Sequence, residues 1–314
     1  MLGSGPDDGD VIEMSAGKPR LAGLIAGRGR LVLVVAGVCA LLIAGGAVAA
    51  VRLNSPGPAG NPALRTLITE VTTVPVSETV PAPSPTSVEV GAGLGSGAPA
   101  PPLPPGLPVS AAALANAPSV PVPVSAPPLT ADGKPEVLYV GTEYCPYCVA
   151  ENWALIVALS RFGQFAGLST SRSPLFDGLP AVDGWTFYGS SYASRYLTFV
   201  PVETASNVLV SPKSDRSSAA SYRGLQRLTP AERAVFAKLD PAGSTPFLDF
   251  GGRAAQVGTE VAPSALAKLT WSGIAADLRR PQSAAGKTIL ASVDTLTAEF
   301  CLLTGDRPAA VCTR

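Results

Sequence analysis

Val137-Leu-Tyr-Val140-Gly141-Thr-Glu-Tyr-Cys145-Pro-Tyr-Cys148-Val-Ala-Glu-Asn-Trp-Ala-Leu-Ile-Val-Ala-Leu-Ser-Arg-Phe-Gly163 is the stretch on which the fold of this 314-residue chain turns. Val137 to Val140 is a continuously apolar run between Pro135 and Gly141, the pattern of a buried strand. The residues after Cys145 form a helix pattern closed by glycine, and Pro146 suits the first helical position, where its missing N–H removes no bond. Cys145 then stands at the helix N-terminus, with Cys148 three residues on along the same face. Free backbone N–H groups and the positive end of the helix dipole favour a thiolate at Cys145. Cys148, one turn deeper, is placed to resolve a mixed disulfide. Half a zinc site, or a merely structural bridge, has the same C-x-x-C spelling.

Composition narrows the chemistry. The chain has no histidine, which excludes Ser-His and Cys-His dyads, imidazole bases and His-ligated metals. Zinc also lacks a second C-x-x-C, so no metal and no cofactor is expected. Charges balance at 23 basic and 23 acidic residues, which indicates no basic face for nucleic acid. Glu143 and Glu151 flank the cysteines and offer proton transfer, although a carboxylate there is ordinarily just solvated.

Downstream, Ser244-Thr245-Pro246-Phe-Leu-Asp-Phe250-Gly-Gly-Arg253-Ala-Ala-Gln-Val-Gly258 has the pattern of strand, tight turn and edge strand, with Gly251-Gly252 supplying positive φ angles for the turn. With the strand, C-x-x-C and helix before it, this stretch resembles the thioredoxin superfamily. The wording CPYCVAENWALIVALSRFG is similar to an uncharacterised membrane-anchored, thioredoxin-like group of actinobacteria and archaea, from about Glu136 to the C-terminus. Cys-Pro-Tyr-Cys also occurs in glutaredoxins. The resemblance implies that Pro246 is a cis-proline opposite Cys145 and Cys148, and that Thr245 offers its backbone to a substrate.

Cys148 and Pro246 are 98 positions apart, which implies an insertion of the kind found in Dsb-type disulfide oxidoreductases. Within it, 186–188 and 196–200 look like strands. Thr229-Pro230 opens a helix to Leu239 with an N-cap and an acidic third residue. Tyr188, Tyr192, Tyr196 and Phe199 suit a sheet core or a peptide groove, and 211–221 an exposed loop. Short helices follow over 262–280, and a longer one over 283–303. Cys301 and Cys312 flank its end as a structural disulfide, a second redox pair or free thiols. A bridge closing so short a loop contributes about 2 to 3 kcal/mol.

Towards the N-terminus, Leu31 to Val51 is 21 residues without a charge, long enough to cross a bilayer as a helix. Lys18, Arg20, Arg28 and Arg30 precede it and orient the N-terminus to the cytoplasm. A cleaved signal peptide ending near Ala47-Val48-Ala49 is the competing reading. Residues 55–129 hold 18 prolines and 7 glycines with four charges, a composition expected to remain a disordered tether.

The expected organisation is a cytoplasmic tail (1–30), a transmembrane helix (31–51), a disordered Pro/Gly/Ala-rich linker (52–130) and an extracytoplasmic α/β domain (131–314). That domain is expected to have a thioredoxin-like fold with a helical or loop insertion. The expected function is a single-pass, membrane-anchored thiol-disulfide oxidoreductase. It would act on exported or envelope proteins and be served by an unidentified redox partner. Cys145 and Cys148 are its catalytic residues, and Thr245 and Pro246 its substrate contact. The alternative is a non-catalytic binding or scaffold module of the envelope with a structural disulfide.

Overall fold

The structure is a computed structural model and describes residues 66, 68, 69, 71–73, 110–115, 117, 119–176 and 178–312. Helix α1 (Ala111–Ala115) and strands β1 (Val122–Pro123) and β2 (Thr130–Ala131) lead into β3 (Lys134–Gly141). Residues 136–141 of β3 are all buried, because the strand is covered on both faces. Helix α2 (Pro146–Ser160) follows. Thirteen of its fifteen residues are buried, so its sequence lacks an apolar stripe: it is apolar nearly all round because it is surrounded.

The main sheet has the order β1-β12-β11-β3-β2, with β11 (Phe247–Phe250) and β12 (Ala254–Val257) antiparallel to their neighbours. Strand β8 (Thr198–Glu203) pairs with β3 in parallel, Glu136 against Thr198 through to Gly141 against Glu203. Both strands therefore end at the same rim, immediately before Cys145. Gly251 and Gly252, at φ 64° and 75°, make the β11–β12 turn, where an added Cβ on Gly252 would meet Pro127 O at 2.5 Å.

One face of the sheet packs against α2, which in turn meets helix α6 (Ala284–Thr304). Trp153 and Trp185 meet edge to face at 5.4 Å, and Phe300 of α6 lies 5.6 Å from Phe162 and 5.8 Å from Phe250. The other face buries Leu138, Val140 and Phe247 against Val235 and Leu239 of helix α3 (Pro230–Leu239). Helix α3 starts at a full capping box between Thr229 and Glu232. Two short helices, α4 (Pro263–Leu266) and α5 (Trp271–Asp277), precede α6, which ends at Gly305 in the left-handed region. A last turn, α7 (Ala309–Cys312), brings Cys312 back to α6.

Several expectations are corrected. The architecture is a mixed α/β domain with open, non-barrel sheets rather than the expected thioredoxin-like fold carrying a helical or loop insertion. Between α2 and α3 the chain forms short paired strands: β4 (Gly163–Ala166) with β7 (Ser191–Ser194), β5 (Ser169–Arg172) with β6 (Asp183–Thr186), and β9 (Ala205–Leu209) with β10 (Tyr222–Gly224). These strands are short, and pairing with a partner rather than an apolar pattern defines them. Gly163, read as the end of α2, begins β4. Tyr192, Tyr196 and Phe199 belong to or pack on the core, and Tyr188 is exposed.

Residues 110–130, counted with the linker, carry α1, β1 and the first residue of β2. Val122 pairs with Ala255, and Val124 N donates to Arg253 O at 2.9 Å, which extends the sheet edge. Further back, Val71 is fully buried within the main core cluster.

The expected transmembrane span at 31–51 lies outside the described residues. Among the described residues no helix is long and apolar enough to cross a membrane. The long helix α6 carries Lys287, Asp294 and Glu299, and the apolar helix α2 has 15 residues, about 22 Å at ~1.5 Å per residue. Single-pass anchoring, membrane attachment through one helix and the cytoplasmic and extracytoplasmic split are therefore not supported.

Candidate functional site at the start of helix α2

The loop from Gly141 to Cys145 is held at the rim of the sheet by its own backbone. Thr204 N donates to Gly141 O at 2.8 Å, Glu143 N to Ala205 O at 2.9 Å and Cys145 N to Thr142 O at 3.3 Å. Cys145 adopts an extended conformation as the N-cap of α2, and its carbonyl accepts from Val149 N at 3.1 Å. Both thiols are free and buried, Cys145 at 6% exposure and Cys148 at 0%. Cys145 Sγ lies 3.8 Å from Thr245 O, and the Thr245–Pro246 peptide is cis. The structure thus brings Cys145, Cys148 and Thr245 together, from segments about 100 residues apart.

The two thiols are driven in opposite directions. The Cys148 thiol donates a hydrogen bond to Cys145 and lowers the Cys145 pKa, and the backbone N–H groups of Cys148 and Tyr147 act in the same sense against burial. Burial first, then that same hydrogen bond and the charges of Cys145 and Glu203, raise Cys148 well above an ordinary thiol. Cys145 is the sulfur that ionises first.

Aromatic rings cover the pair. Tyr144 stacks on Tyr222 of β10 at 4.5 Å and lies 5.0 Å from Phe176. Below it are groups that the sequence reading did not single out. Glu203, the last residue of β8, is fully buried and its pKa is pushed up to about 8, chiefly by burial. Its Oε1 accepts from Asn152 Nδ2 and Phe187 N at 3.4 Å, whereas Oε2, Asn152 Oδ1 and the Tyr139 hydroxyl find no hydrogen-bond partner among the described residues. An acidic residue closing the apolar run Thr198-Phe-Val-Pro-Val-Glu203 was the available signal. Glu151, which the sequence offered either for proton transfer or as a solvated flank, is also fully buried. It accepts from the Thr259 hydroxyl and Gln256 Nε2, and burial raises it to about 7. Glu143 accepts from Asn207 N at 3.3 Å.

The second cysteine pair is of a different kind. Cys301 and Cys312 form a disulfide with Cα atoms 5.4 Å apart, joining the end of α6 to α7. Among the described residues no three metal-ligating side chains gather, so the zinc reading of C-x-x-C has no further ligand.

A family described as Domain of unknown function (DUF929) matches residues 120–230, less than half of the chain. The match takes in Cys145 and Cys148 and stops before Thr245, Pro246 and the Cys301–Cys312 bridge. No curated protein and no solved structure matches. The expected membership of the thioredoxin superfamily, and of its membrane-anchored actinobacterial and archaeal group, is corrected accordingly: the match found carries no thioredoxin or membrane-anchor assignment. The expected membrane-anchored oxidoreductase of exported proteins falls with it. There remain two cysteine pairs at distances suited to disulfide chemistry.

Proposed function

We propose that the described domain is a protein-binding or scaffold module, closed by the Cys301–Cys312 bridge, with Cys145 and Cys148 as a dithiol–disulfide couple on its binding face. One observation carries this reading: two free, buried thiols lie at the start of α2, at the carboxyl ends of the parallel strands β3 and β8. That rim is where open α/β sheets receive their ligands. Closing the couple forms one S–S bond. The two electrons and two protons pass to a partner disulfide, which becomes a dithiol.

Turnover as a thiol-disulfide oxidoreductase is the second reading, favoured by the opposite displacement of the two thiols. Here the Cys145 thiolate attacks a substrate disulfide, forms a mixed disulfide and expels one substrate thiolate. Cys148 loses its proton to solvent and attacks the Cys145 sulfur, releasing the second substrate thiolate. An external dithiol then reduces the couple. Thr245 and Pro246, beside Cys145, are the proposed substrate contact.

A stopped assay with a model disulfide separates the readings. One equivalent of closure, abolished by Cys145→Ser, with turnover in added dithiol no faster than the uncatalysed exchange, is the result for the module. Many equivalents per protein in the presence of dithiol favour the oxidoreductase. No closure at all removes the couple and both readings with it.

A further inference from the structure

The surface beside the couple departs from the neutrality of the chain as a whole. Between 213 and 227 lie Lys213, Arg216, Arg223 and Arg227 against a single acid, Asp215, and all five are exposed. None of the four cations enters an ion pair among the described residues. Asp215 offsets one of the four, which leaves the stretch with an excess of positive charge. Its carboxylate is engaged within its own turn, accepting from Ser217 N at 2.9 Å and Ser217 Oγ at 2.7 Å.

This charge is tied to the thiol site by one ring. The Tyr222 hydroxyl donates to Arg216 O at 2.9 Å, Arg223 is the next residue of β10, and the Tyr222 ring stacks on Tyr144, the neighbour of Cys145. Large aliphatic side chains stand among the cations: Leu175, Val208 and Val210 are 66%, 46% and 57% exposed. Leu175, Phe176, Gly178, Asp215, Arg216 and Ser217 line one open surface cavity of about 470 Å³. Phe176 also lies 5.0 Å from Tyr144, so the cavity and the thiol cluster share a wall.

A solvated cationic loop alone would carry no exposed aliphatic rim, and an ordinary apolar patch would carry no unpaired guanidinium groups. Their combination selects a ligand that is both apolar and anionic. We propose that this face docks an acidic, apolar polypeptide segment, with an aliphatic side chain in the cavity and its carboxylates against Arg216, Arg223 and Lys213. Docking presents the segment, and any cysteine in it, to Cys145. The inference deepens the binding-module reading by naming its partner class.

The test uses the full chain and three labelled twelve-residue peptides: alternating Glu and Leu, alternating Lys and Leu, and alternating Gln and Leu. Anisotropy titrations should rank the Glu peptide at least about tenfold tighter than the others, and weaken it several-fold between 50 and 300 mM salt. Arg216→Glu with Arg223→Glu should abolish that preference. Equal affinity for the three peptides, or a preference surviving the double variant, overturns the proposal. So does binding confined to anionic vesicles or to duplex DNA with none to the Glu peptide. Alkylation and closure assays run on the same samples report the thiol couple separately: an inert Cys145 with intact peptide preference would remove the couple and leave the docking face.

Discussion

The two cysteine pairs sit at opposite kinds of helix end. Cys145 and Cys148 occupy the first turn of α2, where unpaired N–H groups stabilise a thiolate, and the thiols are free. Cys301 and Cys312 occupy the last turn of α6 and the short α7, where chain reversal at Gly305 brings them together, and they are bonded. A helix N-terminus polarises one sulfur against the other, whereas a helix C-terminus has no N–H groups to offer a thiolate and the pair acts as a staple. Spacing alone does not separate the two cases; the end of the helix does.

The largest way to break this contrast is to remove the support under the first pair. Trp153 is fully buried two turns into α2, with its Nε1 donating to Asp183 O at 2.9 Å. Trp153→Ala should lower stability by about 3–5 kcal/mol in chemical denaturation. It should also raise the reactivity of Cys148, which the packed helix shields. Next in size is the staple. Cys301→Ser with Cys312→Ser should cost about 2 to 3 kcal/mol, and should leave the alkylation rate of Cys145 unchanged if the two pairs are independent. Smaller still is the inequality within the first pair. At pH 7 iodoacetamide should modify Cys145 at least about tenfold faster than Cys148, read by peptide mass mapping. Equal rates would mean that the helix terminus does not polarise them.

The buried carboxylates around α2 and the sheet add a pH dependence to the same comparison. Glu203 is raised to about 8, and Glu151 and Asp249 to about 7, each chiefly by burial. In the unfolded chain these groups titrate near about 4. The folded state therefore binds more protons across the interval between, so stability is full below about pH 4 and falls as pH rises through 7 to 8. Denaturation midpoints should be higher at pH 5 than at pH 8.5, and Glu203→Gln should flatten the upper part of the fall. A midpoint that rises over this interval would contradict the burial of these carboxylates.

Much of the scaffold was legible where local chemistry decides it. Thr229-Pro230 with Glu232 spells the capping box of α3, and Ser283 and Gly305 mark the two ends of α6. Cys145-Pro146 likewise marks the start of α2. The short strand pairs of the middle segment were not legible. Ser169–Arg172 and Ser191–Ser194 carry few apolar residues, and their register is set by partners elsewhere in the chain. At the site, the cysteines were visible because C-x-x-C is a local pattern. Glu203 was not, since its place beneath Cys148 depends on the parallel pairing of β8 with β3. The cationic rim was hidden by the balanced total charge, which averages Lys213 to Arg227 with acids far away. The membrane helix expected from the composition of 31–51 lies outside the described residues, among which no helix is long and apolar enough to cross a membrane.

The central claim is that one pair is a reversible couple and the other a static bridge. Equilibration of the folded protein in glutathione buffers of graded potential, followed by isotope-coded alkylation and peptide mass mapping, measures both pairs in one sample. The account predicts that Cys145 and Cys148 pass from free to bonded within the buffered range while Cys301 and Cys312 stay bonded throughout. Joint opening of both pairs, or a Cys145–Cys148 pair that never closes, would contradict it.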